Sequence, residues 1–347
     1  MKICLFDDSV PFDAWTPGRR PLGGAEKAFA LLPGGLAGQG HDVHVYNRCK
    51  YSMPIEGARW HSPDGPRPVD GEALIAFRKP SLLESLRTPR RRILWATAAP
   101  EYLDKKAARA FLADVDAELV FVSEAQRARY KGDRRATVIR PGIAKAYLRE
   151  ELARDRDAPP RAVVTTHPAH GLDWLIDLWI NEVRPKVPNA ELDIYSASLD
   201  RAMQDPESAP EALEPLVARC LTGRQHGIAV LEPLGDEGMA KAYADARVHL
   251  YPGHPDDMAC WTLAESQAAG CPAIARGFPA VAERVDNGQT GYLVPDAAAF
   301  ANVTVELLTN DDVRDSLGAA AREPHRRRPW SAAAAEFSAL LTGARPT

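Results

Sequence analysis

An aspartate and a glutamate stand eight positions apart at Asp257 and Glu265, with Ala259-Cys260-Trp261-Thr262 between them. A short apolar run ends before them at Tyr251, Pro252–Asp256 read as a polar loop, and a helical pattern starts near Cys260 and closes at Gly270. In that order Asp257 precedes the helix, and the amides of Cys260, Trp261 and Thr262 are donors that the helix leaves unpaired. They suit a phosphate group, with the Thr262 hydroxyl beside them. Glu265, about one turn in, can accept two hydrogen bonds from a vicinal diol such as a ribose. The plainer alternative has Asp257 capping the loop and Glu265 favouring the helix dipole. Spacing alone leaves both readings open.

A second stretch, Leu22-Gly23-Gly24-Ala25-Glu26, opens the helix that follows the first strand. Two glycines let backbone approach a ligand closely, and free amides at a helix start suit a diphosphate or sugar hydroxyls. They also make an ordinary turn. Gly34, Gly35, Gly38 and Gly40 lack the dinucleotide-binding spacing and are expected to end a helix already broken at Pro33. No GxxxxGK[ST] phosphate loop occurs, so hydride transfer and ATP-driven chemistry are not expected. His167-Pro168-Ala169-His170 and His254-Pro255-Asp256-Asp257 have metal-ligand residue types but no partner motif, so no metal site is assigned. Trp15, between Asp13 and Arg19-Arg20 in a polar loop, is a candidate platform for an acceptor sugar ring. Trp174 and Trp179 lie in an apolar helical pattern and are read as core.

The elements that would position these residues alternate between short apolar runs and helical patterns, as parallel α/β layers do. Residues 3–6, 43–46, 74–77, 93–96, 119–122 and 137–139 form one series of expected strands, with helices at 24–32 and 102–113. A charged, polar stretch ending in Pro159-Pro160 follows. A second series then runs through 162–165, 192–195, 228–231, 248–251, 273–275 and 292–294, with helices at 172–187, 237–246, 302–308 and 332–341. The expected organisation is a Rossmann-like domain over 1–150, a linker over 144–160 and a second Rossmann-like domain over 160–329. The stretch 330–347 is expected to carry a helix that packs back on the first domain.

Composition narrows the function classes. The 347 residues carry 43 Lys and Arg against 47 Asp and Glu, a formal charge of −4, so no broad nucleic-acid footprint is expected. No run of 18 apolar residues exists to form a membrane-spanning helix. The opening turns acidic at Asp7-Asp8, too soon for the apolar core of a signal peptide. Five scattered cysteines without a CxxC pair suit a reducing compartment. The expected location is cytoplasmic. The basic runs Arg87–Arg92 and Arg326–Arg328 read as solvated faces, with contact to anionic headgroups at the inner face of a membrane as the alternative.

The Asp257/Glu265 pair and its surroundings resemble the E-x7-E motif of group 1 (family 4) glycosyltransferases. Tyr251-Pro252 before it and Ala264–Pro272 after it fit that family, as do Val281–Val285, Asn287-Gly288 and Thr290–Pro295. At the front, Gly23–Glu26 and Gly40–Val43 match its first helix and second strand. Val122–Glu124 and Ile139–Ile143 match the end of its first domain. The resemblance spans about residues 1–325. It implies the GT-B fold, two Rossmann-like doubly wound parallel-sheet domains facing across a cleft, and a retaining, metal-independent enzyme without a resident cofactor. The implied partners are a nucleotide-sugar donor and a sugar, lipid-linked or small-molecule acceptor.

Carried over, the resemblance makes Asp257 the catalytic-site acid that fixes the donor sugar. It gives Gly23, Gly24, Thr165, His170, Ala259, Cys260, Trp261, Thr262 and Glu265 to the donor, and Thr97, with Trp15, to the acceptor. Departures from the family stand at several of these positions. Asp257 replaces a Glu, Ala259-Cys260 replaces an aromatic-glycine pair, Thr97 replaces a histidine, and Thr165 and His170 replace an Arg and a Lys that neutralise the diphosphate. A buried diphosphate needs its charge offset, so weaker donor binding or a substitute cation is expected. Two other readings follow: a non-catalytic nucleotide-sugar binder or partner subunit, and a sugar-nucleotide epimerase.

Overall fold

The computed structural model describes residues 1–68, 70–149, 157–205, 209–326 and 328–343, without the side chains of 324–326. The described residues form two compact units. One comprises Met1–Ala144, Asp256–Ala259 and Arg328–Thr347; the other comprises Lys145–Pro255 and Cys260–Arg327. Of the stretch expected as a linker, residues 150–156 lie outside the described residues.

The first unit is built on β1 (Lys2–Phe6), β2 (Asp42–Tyr46), β3 (Met53–Ile55), β4 (Ala58–His61), β5 (Ala73–Phe77), β6 (Arg91–Trp95), β7 (Glu118–Phe121) and β8 (Ala136–Val138). Their order is β3-β4-β2-β1-β5-β6-β7-β8. Every pairing is parallel except β3 with β4. That hairpin was not anticipated from sequence. It turns through Glu56 and Gly57, both at positive φ (49° and 82°), the type I′ geometry that matches strand twist. β3 is an edge strand, which is where Pro54 is tolerated.

Helices of this unit are α1 (Thr16–Arg19), α2 (Gly24–Gly38), α3 (Lys106–Asp114) and α4 (Glu124–Arg129). Contrary to expectation, α2 runs straight through Pro33 to Gly38. The missing N–H and ring crowding of an interior proline oppose a helix by about 3 kcal/mol. Packing supplies what offsets it: a Cβ on Gly35 would lie 2.7 Å from that of Ala334, so the C-terminal helix sits close against α2. His41 Nε2 and Ser338 Oγ add a 2.7 Å hydrogen bond between the same two regions. The expected helix over 102–113 is a short 3-10 segment, Pro100–Asp104, followed by α3.

The second unit holds β9 (Arg161–Val164), β10 (Glu191–Tyr195), β11 (Ile228–Leu231), β12 (Val248–Tyr251), β13 (Ala273–Arg276) and β14 (Gly291–Val294). They are all parallel, in the order β11-β10-β9-β12-β13-β14, which reverses beside β9. Its helices are α5 (Leu172–Leu178), α6 (Ala197–Gln204), α7 (Glu214–Gly223), α8 (Asp236–Asp245), α9 (Trp261–Ala268), α10 (Pro279–Ala282), α11 (Ala297–Thr309) and α12 (Asp311–Arg326). α5 continues into a single π-helical segment, Trp179–Val183. There Trp179 is buried, and its indole N–H and the Arg184 Nε–H both donate to the His226 carbonyl. α13 (Trp330–Thr342) belongs to the first unit, as the crossing-back helix was expected to. The core of the second unit is a sheet whose strands bury both faces, Ala162, Val164, Leu192, Ile194, Val248 and Leu250 on one and Val163, Asp193 and His249 on the other, and near-continuous apolar runs are the mark of such strands.

Candidate functional site

Ligands of open α/β sheets bind outside the carboxyl ends of the strands where the strand order reverses. In the second unit that place is the exit of β9 and β12. Thr165 follows the last residue of β9, and its Oγ1 lies 3.1 Å from Nε2 of His249 on β12. The other ring nitrogen, Nδ1, lies 2.7 Å from Ser266 Oγ on α9, which in turn donates to the Leu263 carbonyl at 3.0 Å. His249 is fully buried, and burial pushes its pKa down to about 3. A neutral imidazole therefore ties the β9 exit to the helix that carries Glu265. Thr166, the next residue, buries its Oγ1 with no hydrogen-bond partner.

Two buried tyrosines complete this layer. The Tyr147 hydroxyl donates to Asp236 Oδ1 at 2.8 Å, and Tyr243 hydrogen-bonds Thr165. Burial first, and then the Glu265 carboxylate, push both phenols well above their ordinary range. Glu265 is thus half-buried beside two rings that keep their protons. Cys260, the residue that caps α9, adopts left-handed backbone at φ 50°, ψ 50°. This is the position where the resembled family carries glycine, and left-handed backbone costs a residue with a Cβ about 1–2 kcal/mol. Strain of this kind collects at ligand-binding sites. Trp261 and Thr262 follow in the first turn, both half-buried.

The loops around the β9 and β12 exits carry three histidines. The rings of His170 and His254 stack with centroids 4.2 Å apart at 13°, and His167 lies 5.1 Å from His170. Arg276, the last residue of β13, donates from Nε to the Pro252 carbonyl and from Nη2 to that of Gly253 at 3.0 Å. Its guanidinium rests over Trp174 at 5.2 Å and Phe278 at 5.1 Å. Trp174, expected as core, also packs edge-on against buried Phe300.

In the first unit, Gly23 caps α2. The space its missing side chain leaves is filled: a Cβ there would meet Glu26 Oε2 at 2.4 Å. Arg78, itself at φ 63°, holds that carboxylate in a 2.7 Å ion pair. Burial raises the pKa of nearby Asp7, against hydrogen bonds from Ser9 and the charge of Arg78. Trp15 is 42% exposed, and Arg19 lies over its ring at 5.1 Å. Thr97 sits in the loop after β6, fixed from below by buried Gln126, which donates to the carbonyls of Ala96 (3.1 Å) and Ala98 (2.7 Å). Asp257 and Ala259 belong to this unit, in a segment whose Asp256 accepts from Arg129 at 2.9 Å.

A pocket of about 400 Å³ opens at the exits of β1 and β2, one strand over from the β1–β5 boundary where the first unit's order reverses. Phe6, Asp7, Tyr46, Asn47, Arg48 and Arg67 line it; neither Trp15 nor Thr97 does. Sequence reading missed this pocket, along with His249, Tyr243, Gln126 and Arg276. One signal was available: a histidine inside the apolar strand Val248-His249-Leu250-Tyr251 needs polar partners when buried.

Residues 162–310 match the family model for glycosyl transferases group 1. The D-inositol 3-phosphate glycosyltransferase of Streptomyces coelicolor is 25% identical over 370 residues, covering 99% of this chain and 74% of that protein. The protein of the same name from Streptomyces scabiei is 27% identical, over 60% of this chain and 49% of its own length. A phosphatidyl-myo-inositol mannosyltransferase of Mycobacterium leprae is 36% identical over 32% of this chain and 30% of that protein. The chain spans about half or less of these last two relatives. Among solved structures, sucrose-phosphate synthase of Thermosynechococcus elongatus aligns with a TM-score of 0.72 at 17% identity over 98% of both chains. HepE of Anabaena, solved with UDP and glucose, aligns at 0.70 and 13% over 99% of both. The fold is GT-B.

Proposed function

We propose, from the membership of residues 162–310 in the group 1 glycosyl transferases and the GT-B fold, that this chain transfers a sugar from a nucleotide-sugar donor to an acceptor hydroxyl with retention of configuration. The observation that carries the reading is the strained start of α9. Cys260 takes left-handed backbone there, and Glu265 follows half-buried beside Tyr243 and Tyr147, inside the family-matched segment.

Glu265 accepts from the ribose hydroxyls, and the amides of Cys260, Trp261 and Thr262 donate to phosphate and sugar oxygens. Asp257 is assigned to the sugar's hydroxyls, and Gly23 and Gly24 to the diphosphate. The acceptor oxygen forms its bond to the anomeric carbon on the face from which the diphosphate leaves. The acceptor's proton goes to the departing phosphate oxygen. Fixed donors around that phosphate are the main rate-raising effect, and no resident metal is needed for it. The acceptor binds the first unit, in the pocket of Phe6, Asp7, Tyr46 and Asn47 or against Trp15 and Thr97.

The nature of the acceptor, lipid-linked or small, stays with the chemistry of that pocket. For a cytoplasmic site with peripheral membrane contact, three arginines of the basic runs are already engaged within the protein, while Arg87 and Arg90 are exposed. Arg91 pairs with Glu118, Arg92 donates to the carbonyls of Leu83, Leu86 and Arg87, and Arg328 pairs with Glu336. Among the described residues no helix is long and apolar enough to cross a membrane.

A second reading, a nucleotide-sugar binder without turnover, is favoured by the neutral, internally bonded Thr165 at a diphosphate position. Incubation with UDP- and GDP-sugars separates the two. Hydrolysis or transfer supports the enzyme, binding without either supports the binder, and no binding to any of them overturns both.

A further inference from the structure

Thr165 stands where the resembled family carries a cation, and its hydroxyl is engaged on two sides inside the protein. Tyr243 of α8 hydrogen-bonds it, and Nε2 of His249 lies 3.1 Å from it. The rest of this set fixes which atom donates in each bond. A carbonyl can only accept, so Ser266 Oγ spends its single proton on the Leu263 carbonyl at 3.0 Å. Ser266 must then accept from His249 Nδ1 at 2.7 Å, which places the ring's proton on Nδ1. His249 is fully buried and neutral, so its Nε2 carries no proton and accepts from Thr165. Thr165 has no second proton to give, and its bond with Tyr243 is therefore donated by the phenol. Four hydrogen bonds thus point one way, from α8 through the exit of β9 and through β12 to the backbone of α9.

We propose that Thr165 and His249 are positioning residues, which hold α9 to the sheet so that its first amides and Glu265 meet the nucleotide sugar, while the Thr165 side chain does not itself bind the diphosphate. The proposal rests on the donor reading above and gives Thr165 a different role within it. The capacity left on Thr165 Oγ1 is an acceptor lone pair, which repels a phosphate oxygen. Tyr243, His249 and Ser266 are all buried. Away from water each bond of such a chain is electrostatically stronger, and neighbouring bonds polarise one another. Because every hydroxyl in it donates once, cutting one link leaves the next group facing a partner of the wrong kind or none. The helix start needs an anchor of this sort. Cys260 caps it in left-handed backbone at φ 50°, a conformation that persists only where the surroundings hold it.

The test cuts the chain on either side of His249. Thr165→Val keeps the shape at a half-buried position and removes the hydroxyl, and Ser266→Ala removes the acceptor of the Nδ1 proton from a buried helix position. Calorimetric titration with UDP-glucose, UDP-N-acetylglucosamine and GDP-mannose reads donor affinity, at a temperature well below the melting midpoint of each variant. Each single variant should weaken the preferred nucleotide sugar about five-fold or more. The double variant should fall short of the product of the two effects, since both cuts act through one imidazole. Thr165→Ser, which keeps the hydroxyl, should restore affinity. Nitrogen NMR of the full chain labelled in its histidines should show a neutral ring protonated at Nδ1, whose signal moves in both single variants.

Weaker binding in Thr165→Val with unchanged binding in Ser266→Ala would assign the threonine to the diphosphate and overturn the proposal. So would lower melting midpoints with unchanged affinity in both variants, which would make the chain a matter of stability alone. A His249 ring protonated at Nε2 would overturn the direction of the chain, and the proposal with it. Each of these results leaves the donor reading standing, whereas failure of every nucleotide sugar to bind the unaltered protein overturns both.

Discussion

His249 Nδ1 lies 2.7 Å from Ser266 Oγ while its Nε2 lies 3.1 Å from Thr165 Oγ1, so one buried imidazole joins the exit of β9 to α9. A ring held neutral in the fold and free to protonate when unfolded makes stability depend on pH. Burial lowers its pKa to about 3, so between that value and ~6.5 the unfolded chain binds the extra proton. Stability from this group is complete above ~6.5 and falls by about 1.4 kcal/mol per pH unit as pH drops below it. Denaturant unfolding of the wild type and of His249→Gln from pH 7.5 to 4.5 should show this loss in the first and a shallower one in the second. Parallel slopes would refute it.

Removing the imidazole altogether leaves a cavity and strands two hydroxyls. His249→Ala should cost about 2–4 kcal/mol by urea unfolding at pH 7.5. A cost under half a kilocalorie would mean that Thr165 and Ser266 find other partners.

Cys260 reverses the usual helix preference at its position. Both Cys260→Ala and Cys260→Gly lose the buried thiol, so their difference isolates the backbone. At φ 50° glycine should be the more stable variant by about 1 kcal/mol, although alanine is favoured at ordinary helical positions. Equal melting temperatures would place Cys260 outside the left-handed region.

Gln126 fixes the loop that carries Thr97. Its side chain serves three backbone groups: it donates to the carbonyls of Ala96 and Ala98 and accepts from Val122 N–H at 2.8 Å. Gln126→Ala should lower stability by about 2–3 kcal/mol, whereas Gln126→Glu keeps the acceptor and loses the donors. If Thr97 touches the acceptor, KM for it rises in Gln126→Glu while donor affinity, measured alone, stays put.

Glu26 lies where a ligand near Gly23 would have to sit, held there by Arg78. Glu26→Gln removes a negative charge without shortening the side chain, so nucleotide-sugar binding should tighten a few-fold in calorimetry. Weaker binding would assign Glu26 itself to the donor.

Most strands were legible because their apolar runs are buried on both faces, and runs such as Leu74–Phe77 and Val248–Tyr251 need no distant context. The β3–β4 hairpin was not, since Glu56-Gly57 lacks the asparagine or aspartate that usually marks such a turn. Pro33 read as a helix end because the partner that overrides it, Ala334, lies 301 positions away. The α9 site was visible through local spacing, as Cys260, Trp261, Thr262 and Glu265 share one turn and a half. The contact of His170 with His254 was invisible for the opposite reason: two loops, each unremarkable alone, meet only because the sheet sets β9 beside β12.

The most direct measurement is calorimetric binding of the UDP- and GDP-sugar panel to the wild type and to Glu265→Gln, a variant that keeps size and helix propensity but loses the paired acceptor oxygens. Hydrogen bonds from ribose hydroxyls to a carboxylate are worth about 1.5–3 kcal/mol, so affinity for the preferred nucleotide sugar should fall at least ten-fold in Glu265→Gln at unchanged melting temperature. Equal affinity in the two proteins would contradict the assignment of Glu265 to the donor, and with it the site on α9.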